Sequence, residues 1–138
     1  VLLDTHALLW LVRGEFRTAA AIAAVRTAQE EGCLYVSAIS AWELGVAELK
    51  RRDRPDLGMP AAAWFRQAVA ATGARLAAIS ISVAAEASTV PTVYGSGDPG
   101  DCFIIATARV RRMSVVTRDG RMLALAMSAP DYLEAVEC

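Results

Sequence analysis

Lysine is almost missing from this sequence: of fourteen basic residues only Lys50 is a lysine, the rest being arginine. Histidine is represented once, by His6, and the three cysteines, Cys33, Cys102 and Cys138, are widely spaced with no CxxC pair. A thiolate metal site and a disulfide framework are thereby excluded, and Cys33 and Cys102 are expected to be small core residues. No apolar run approaches the ~20 residues that span a bilayer. VLLDTHALLWLV carries no basic leader and no small-residue cleavage site, and an acid falls inside its apolar run, which argues against a signal peptide. A soluble, cytoplasmic protein with no membrane partner is expected. The net charge of −1 and pI near 5.8 give no global sign of nucleic-acid affinity. Arginines do cluster, at Arg51, Arg52 and Arg54, at Arg109, Arg111 and Arg112, and at Arg118 and Arg121. Planar guanidinium groups suit phosphate recognition, although each one alone is also an ordinary solvated surface residue.

Against these absences stands a high apolar content, 55% hydrophobic residues with a mean hydropathy of +0.36 in 138 residues. That composition excludes disorder and suits one domain, residues 1–138, around one core. Short β-type runs alternate with helical patterns. Val1 to Leu3, Leu34 to Val36, Leu76 to Ile79 and Ser114 to Thr117 read as strands. Thr5 to Val12, Thr18 to Glu31, Ala38 to Lys50, Ala61 to Thr72, Val83 to Val90 and Pro99 to Arg112 read as helices, with RRDRPDLGMP and PTVYGSG as loops. Strands joined by crossover helices predict an α/β fold of three layers, a central parallel sheet with helices on both faces. In such sheets a ligand crevice forms outside the carboxyl ends of the strands.

Acids recur at that edge. Asp4 follows the first strand directly, Glu43 lies in the first turns of the helix after the second, Asp101 in the first turn of the helix from Pro99, and Asp119 just after the last strand. Each has a structural explanation of its own. Asp4 is placed to cap the helix it precedes, and Asp98 before Pro99 is an ordinary N-cap. Ser40 and Glu43 have capping-box spacing, Asp101 favours the positive end of a helix dipole, and Asp119 before Gly120 suits a turn. Together they are not explained in that way, because capping does not account for acids after successive strands with no matching lysine. Carboxylates gathered without a cation repel one another and need an outside positive charge. Oxygen-only ligands favour Mg²⁺ or Mn²⁺ over Zn²⁺, and such ions take substrate phosphates as further ligands. Phosphodiester chemistry is the expectation.

The stretches VLLDTHALLW, SAISAWELGVAELK, DPGDCFIIATA and VVTRD, in that order along nearly the whole chain, resemble the successive motifs of the PIN-domain ribonucleases, in particular the VapC-type toxins of toxin–antitoxin pairs. The resemblance implies a PIN-like fold and a Mg²⁺- or Mn²⁺-dependent endoribonuclease with Asp4, Glu43, Asp101 and Asp119 as metal-binding and catalytic acids. It implies auxiliary hydroxyls at Thr5 and Thr117, an antitoxin partner and a homodimer. Cys102 stands where members often carry Arg, so no salt bridge or phosphate contact is expected there. Asp98 reads as the helix cap, and His6, beside an apolar helix, as a packing residue outside catalysis. Arg112, Arg118 and Arg121 are the candidate contacts to RNA phosphates. An antitoxin that blocks the pocket is expected to insert a basic side chain among the four acids.

Two other classes compete. A strand-end phosphoacceptor needs either an acidic pair with a strand-end lysine or a second Asp two residues after the first, and Asp4-Thr5-His6 supplies neither. A catalytically silent protein-binding module would use the acids as caps only. Leu8, Leu9, Trp10, Leu11 and Val12, and likewise Trp42, Leu44, Val46 and Leu49, are apolar on more than one helical face, so burial on several sides or an interface is expected.

Overall fold

The computed structural model describes residues 1–52 and 55–138, so Arg54 of the first arginine cluster lies outside the described residues. Strand β1 (Leu2–Leu3) is followed by α1 (Thr5–Arg13), α2 (Ala19–Glu30), β2 (Tyr35–Ser37), α3 (Ile39–Glu48), α4 (Ala61–Thr72) and β3 (Arg75–Ala77). The chain continues through α5 (Ile81–Thr89), α6 (Pro91–Tyr94), α7 (Pro99–Arg111), β4 (Val115–Thr117), α8 (Gly120–Ser128) and β5 (Ala135–Glu137). The strands form one parallel sheet in the order β3-β2-β1-β4-β5. The first three strands step outward on one side, after which α5 to α7 return the chain to β4 beside β1. Connections therefore diverge between β1 and β4, and the crevice of a doubly wound sheet opens there.

The side-chain period of two sorts each strand between two cores. Leu2 and Val115 point to the layer that holds Val83, Val90, Ile104, Ile105 and Met122, from α5, α7 and α8. Their neighbours Leu3 and Val116 point the other way, to Leu8, Val25 and Phe65 of α1, α2 and α4. The expected three-layer α/β architecture is thus present. Each fully buried aliphatic side chain contributes roughly 1.5–3 kcal/mol, so the central strands are short but held from both faces.

Several local expectations need correction. The third strand is Arg75–Ala77 rather than Leu76 to Ile79, because its register is dictated by pairing with Tyr35–Ser37, while Ser80 accepts from the Val83 N–H and starts α5. PTVYGSG is not all loop: Pro91–Tyr94 is a helical turn ended by Gly95 in the left-handed region (φ 71°), which buries Tyr94. The sequence reading did not anticipate α8 and β5. AVE carries little strand signal, and it is a strand because β4 offers it a parallel partner. Cys102 is buried as expected, Cys138 is buried too, and Cys33 is only half-buried.

Candidate active site

Asp4 ends β1 and occupies the N-cap position of α1, yet its side chain makes no capping bond. It is buried, 6% exposed, and its Oδ2 accepts from Thr117 Oγ1 at 2.8 Å, across the switch point from the end of β4. Thr117 Oγ1 in turn accepts from the Asp119 N–H at 2.9 Å. One hydroxyl thereby fixes two acids from two loops. Asp119 caps α8, its Oδ1 accepting from the Arg121 and Met122 N–H groups at 2.9 and 2.8 Å. The hydroxyl of Tyr94 stands between Asp101 Oδ2, at 2.9 Å, and Asp119 Oδ1, at 3.3 Å.

Glu43 approaches from α3. The Ser40–Glu43 capping box does not form, since Ser40 lies inside α3 and Ala38 holds the N-cap position. Instead Thr5 Oγ1 donates to Glu43 Oε2 and lies 2.7 Å from Ser40 Oγ. Asp98 does cap α7, its Oδ1 accepting from Gly100 and Asp101 N–H groups at 3.0 and 3.4 Å. It is also more than a cap: one oxygen each from Glu43, Asp98 and Asp101 lie within 4.8 Å of one another. Gly100 makes this approach possible, because a Cβ there would fall within the Glu43 carboxylate. Capping therefore accounts for Asp98 and Asp119, and does not account for Asp4 or Glu43.

Burial and crowding act on these groups in one direction. Burial holds the Asp4 carboxyl above its ordinary range against the Thr117 bond, with Asp119 adding to the rise. Glu43 is pushed up to about 7, first by burial and then by Asp4, Asp101 and Asp98, with the Thr5 bond opposing. Asp101 is pushed up to about 6 by burial, then by Asp98, Asp119 and Asp4, with the Tyr94 bond opposing. Burial, reinforced by Asp101 and Asp119, raises the Tyr94 hydroxyl far above its ordinary value, so it remains a donor. Among the described residues the ion pair present is Arg109–Glu86, which involves none of these acids. The cluster is all oxygen, with Asp4 buried, Glu43, Asp101 and Asp119 half-buried and Asp98 exposed, and none of these acids is in an ion pair among the described residues. With the space left by Gly100 it fits a hard divalent cation such as Mg²⁺ or Mn²⁺.

A pH dependence of stability follows. Where the folded pKa lies above the unfolded value, stability is full below the unfolded pKa and is lost as pH rises through the folded one. For Asp101 and Glu43 that window runs from about 4 to about 7. The metal-free protein should melt a few degrees lower at pH 8 than at pH 5, and Glu43→Gln should flatten the fall. Melting curves across this range measure it; an equal fall in wild type and variant would contradict the assignment.

Of the three candidate phosphate contacts, Arg121 is the one whose backbone N–H is bonded to an acid, Asp119. Arg121 is exposed in the first turn of α8, beside Asp119. Arg112 is the C-cap of α7, roughly 16 Å along the helix from Asp101. Arg118 is committed elsewhere: its Nε donates to the Cys138 carbonyl at 2.5 Å, its Nη2 donates to the Glu15 carbonyl, and its guanidinium carbon lies 4.0 Å over the Trp10 ring.

Sequence reasoning missed Tyr94, Gly100 and the second role of Asp98. Val90 and Tyr94, four apart and followed by Gly95, are the signal that would have marked a short helix with a buried tyrosine. Tyr94→Phe keeps the ring in the core and removes the donor shared by two carboxylates. It should weaken Mn²⁺ binding about 10- to 100-fold with little change in fold. Calorimetric titration of the metal-free chain decides this, and an unchanged affinity would remove Tyr94 from the site.

A doubly wound α/β protein with a carboxylate cluster at the switch point of its sheet is the class that fold and site define. The PIN domain model matches residues 1–127, and the chain belongs to the PIN domain family. No curated protein matches the sequence. Among solved structures, VapBC2 from Rickettsia felis bound to a promoter DNA fragment matches with a TM-score of 0.65 at 12% identity, over 99% of this chain and 97% of that one. A toxin–antitoxin complex from Klebsiella pneumoniae matches with a TM-score of 0.60 at 21% identity, over 99% and 95%. FitAB bound to the IR36 DNA fragment matches with the same score and identity, over 99% and 93%. At these identities the likeness is one of fold.

Proposed function

We propose that this protein is a metal-dependent endoribonuclease and the toxin of a VapC-type toxin–antitoxin pair, working as a single PIN-like domain. The observation that carries the reading is the convergence of Asp4, Glu43, Asp98, Asp101 and Asp119 on one crevice, none of them in an ion pair among the described residues. A divalent ion held there would supply Lewis-acid activation of water and of the scissile phosphate. The chain's own part is positioning. Thr117 orients Asp4, Tyr94 spaces Asp101 from Asp119, and Thr5 turns Glu43 toward Asp98 and Asp101 over the opening left by Gly100. Arg121, exposed and directly after the Asp119 cap, is the residue that would meet the RNA backbone at the rim.

The matched structures are toxin–antitoxin complexes, which supports an antitoxin as partner. A basic antitoxin side chain inserted among the acids would replace the charge of the ion. Val12, Trp42, Val46 and Leu49, 42%, 50%, 40% and 84% exposed, remain uncovered on the two helices read as apolar on several faces, and a homodimer or antitoxin contact would cover them.

The test is Mn²⁺ titration of the purified chain combined with cleavage of single-stranded RNA. Metal binding with metal-dependent cleavage supports the reading; an absence of both returns the protein to the silent binding module. Within the same assay, Arg121→Ala should weaken cleavage of unrelated RNAs by similar factors and reduce the salt dependence, since phosphate contacts carry no sequence information. A loss confined to one RNA would take Arg121 out of that role.

A further inference from the structure

A cavity of about 260 Å³ adjoins the acids between α1 and α3. Glu43 lines it and so belongs to both the cavity and the carboxylate cluster. The remaining lining is of a different character: Leu44 is apolar, His6 and Trp10 are aromatic, and Arg13 and Lys50 are cationic. Such a mixture excludes a second divalent ion, which would meet two cations, and it offers a phosphate too much apolar surface. A planar, uncharged heterocycle flanked by phosphates satisfies both halves.

The aromatic part is built rather than incidental. Trp10 is half-buried and carries the Arg118 guanidinium over its ring at 4.0 Å, and that arginine is itself tied to the Cys138 and Glu15 carbonyls. The exposed His6 ring sits 5.7 Å from Trp10, tilted by 32°. A ring clamped in this way loses little freedom when a base stacks nearby, and single-stranded nucleic acid is bound by aromatic platforms set in cationic grooves.

We propose that the cavity lined by His6, Trp10, Arg13, Glu43, Leu44 and Lys50 takes an unpaired nucleobase of the RNA strand, next to the phosphate held at the acids. The proposal rests on the nuclease reading and adds the source of its sequence preference. The base enters between the helices and stacks against the His6–Trp10 pair. Lys50, and the Arg13 nitrogens other than the Nη2 that donates to the Asp56 carbonyl at 3.1 Å, meet the base's flanking phosphates.

The experiment measures binding of short single-stranded oligoribonucleotides by fluorescence anisotropy, using the full chain as Asp4→Asn so that RNA is not cut. An abasic site is moved along the oligonucleotide one position at a time. One position should cost about tenfold in affinity when its base is removed. Ala47→Leu, which fills the cavity from α3, should cause a similar loss on intact RNA and none on the oligonucleotide abasic at that position. If that variant melts early, the exposed His6→Ala carries the test with a loss of about threefold. Every abasic oligonucleotide binding within about twofold of the intact one would overturn the proposal. So would a well-folded Ala47→Leu whose affinity for intact RNA and abasic profile are both unchanged, which would take the cavity out of the RNA site. The two readings fail separately: cleavage by wild type without base dependence removes the subsite alone, and base-dependent binding without Mn²⁺-supported cleavage removes the nuclease alone.

Discussion

Asp4→Asn is expected to lower metal-supported RNA cleavage by at least ~10²-fold while the metal-free protein melts at the same temperature or higher. Asp4 is almost fully enclosed at the end of the central strand, where burial and the Asp119 charge both disfavour the ionised carboxyl. Asparagine keeps the shape and an oxygen that accepts from Thr117, but removes the charge that makes the enclosed group costly. Since Asp4 makes no capping bond, α1 loses nothing at its start. Activity and stability therefore move in opposite directions, which is the signature of a ligand-binding acid rather than a structural one. Metal titration, RNA cleavage and thermal melts on the variant measure the three quantities. Retained cleavage with a marked drop in metal-free stability would make Asp4 a structural residue.

Gly100→Ala should also lower activity, without altering any acid. In the first turn of α7 an added Cβ would occupy the space of the Glu43 carboxylate, and the side chain of Glu43 is the part able to move. Displacing it breaks the group of oxygens shared with Asp98 and Asp101 and strains the Thr5 bond. Alanine is also the better helix former by roughly 0.8–1 kcal/mol, so the fold is expected to hold. Cleavage should fall ~10- to 100-fold with reduced Mn²⁺ affinity and an unchanged or raised melting temperature. Gly100→Ala with normal Mn²⁺ affinity would show that Glu43 stands outside the metal site.

Fold class and acids were legible before the structure because both rest on local patterns. Alternating short apolar runs and helical stretches lead to a parallel sheet, and the carboxyl end of such a sheet is where Asp4 and Asp119 must emerge. Motif spacing, together with the resemblance it carried, placed Glu43 and Asp101 at helix starts near the same edge. The α1 helix and the Asp98–Pro99 start of α7 were readable for the same reason, since caps and proline act within one turn.

What each acid touches was not legible, because hydrogen-bond partners far apart in sequence meet only when the sheet closes. Thr117 reaches Asp4 across 113 positions, and Thr5 reaches Glu43 across 38. Asp98 was read as a cap alone because capping uses one oxygen of a carboxylate, and nothing local says where the other points. Arg118 has the charge of a phosphate contact, but its guanidinium lies over Trp10 and donates to two backbone carbonyls. Strand β5 and the burial of Tyr94 likewise depend on neighbours supplied by distant segments. Residue types and their periodicity are properties of the chain and settle which elements form and which edge collects charge. The pairing of hydroxyls with carboxylates, and the choice of which arginines stay free, belong to contacts between elements, and only packing in three dimensions sets those.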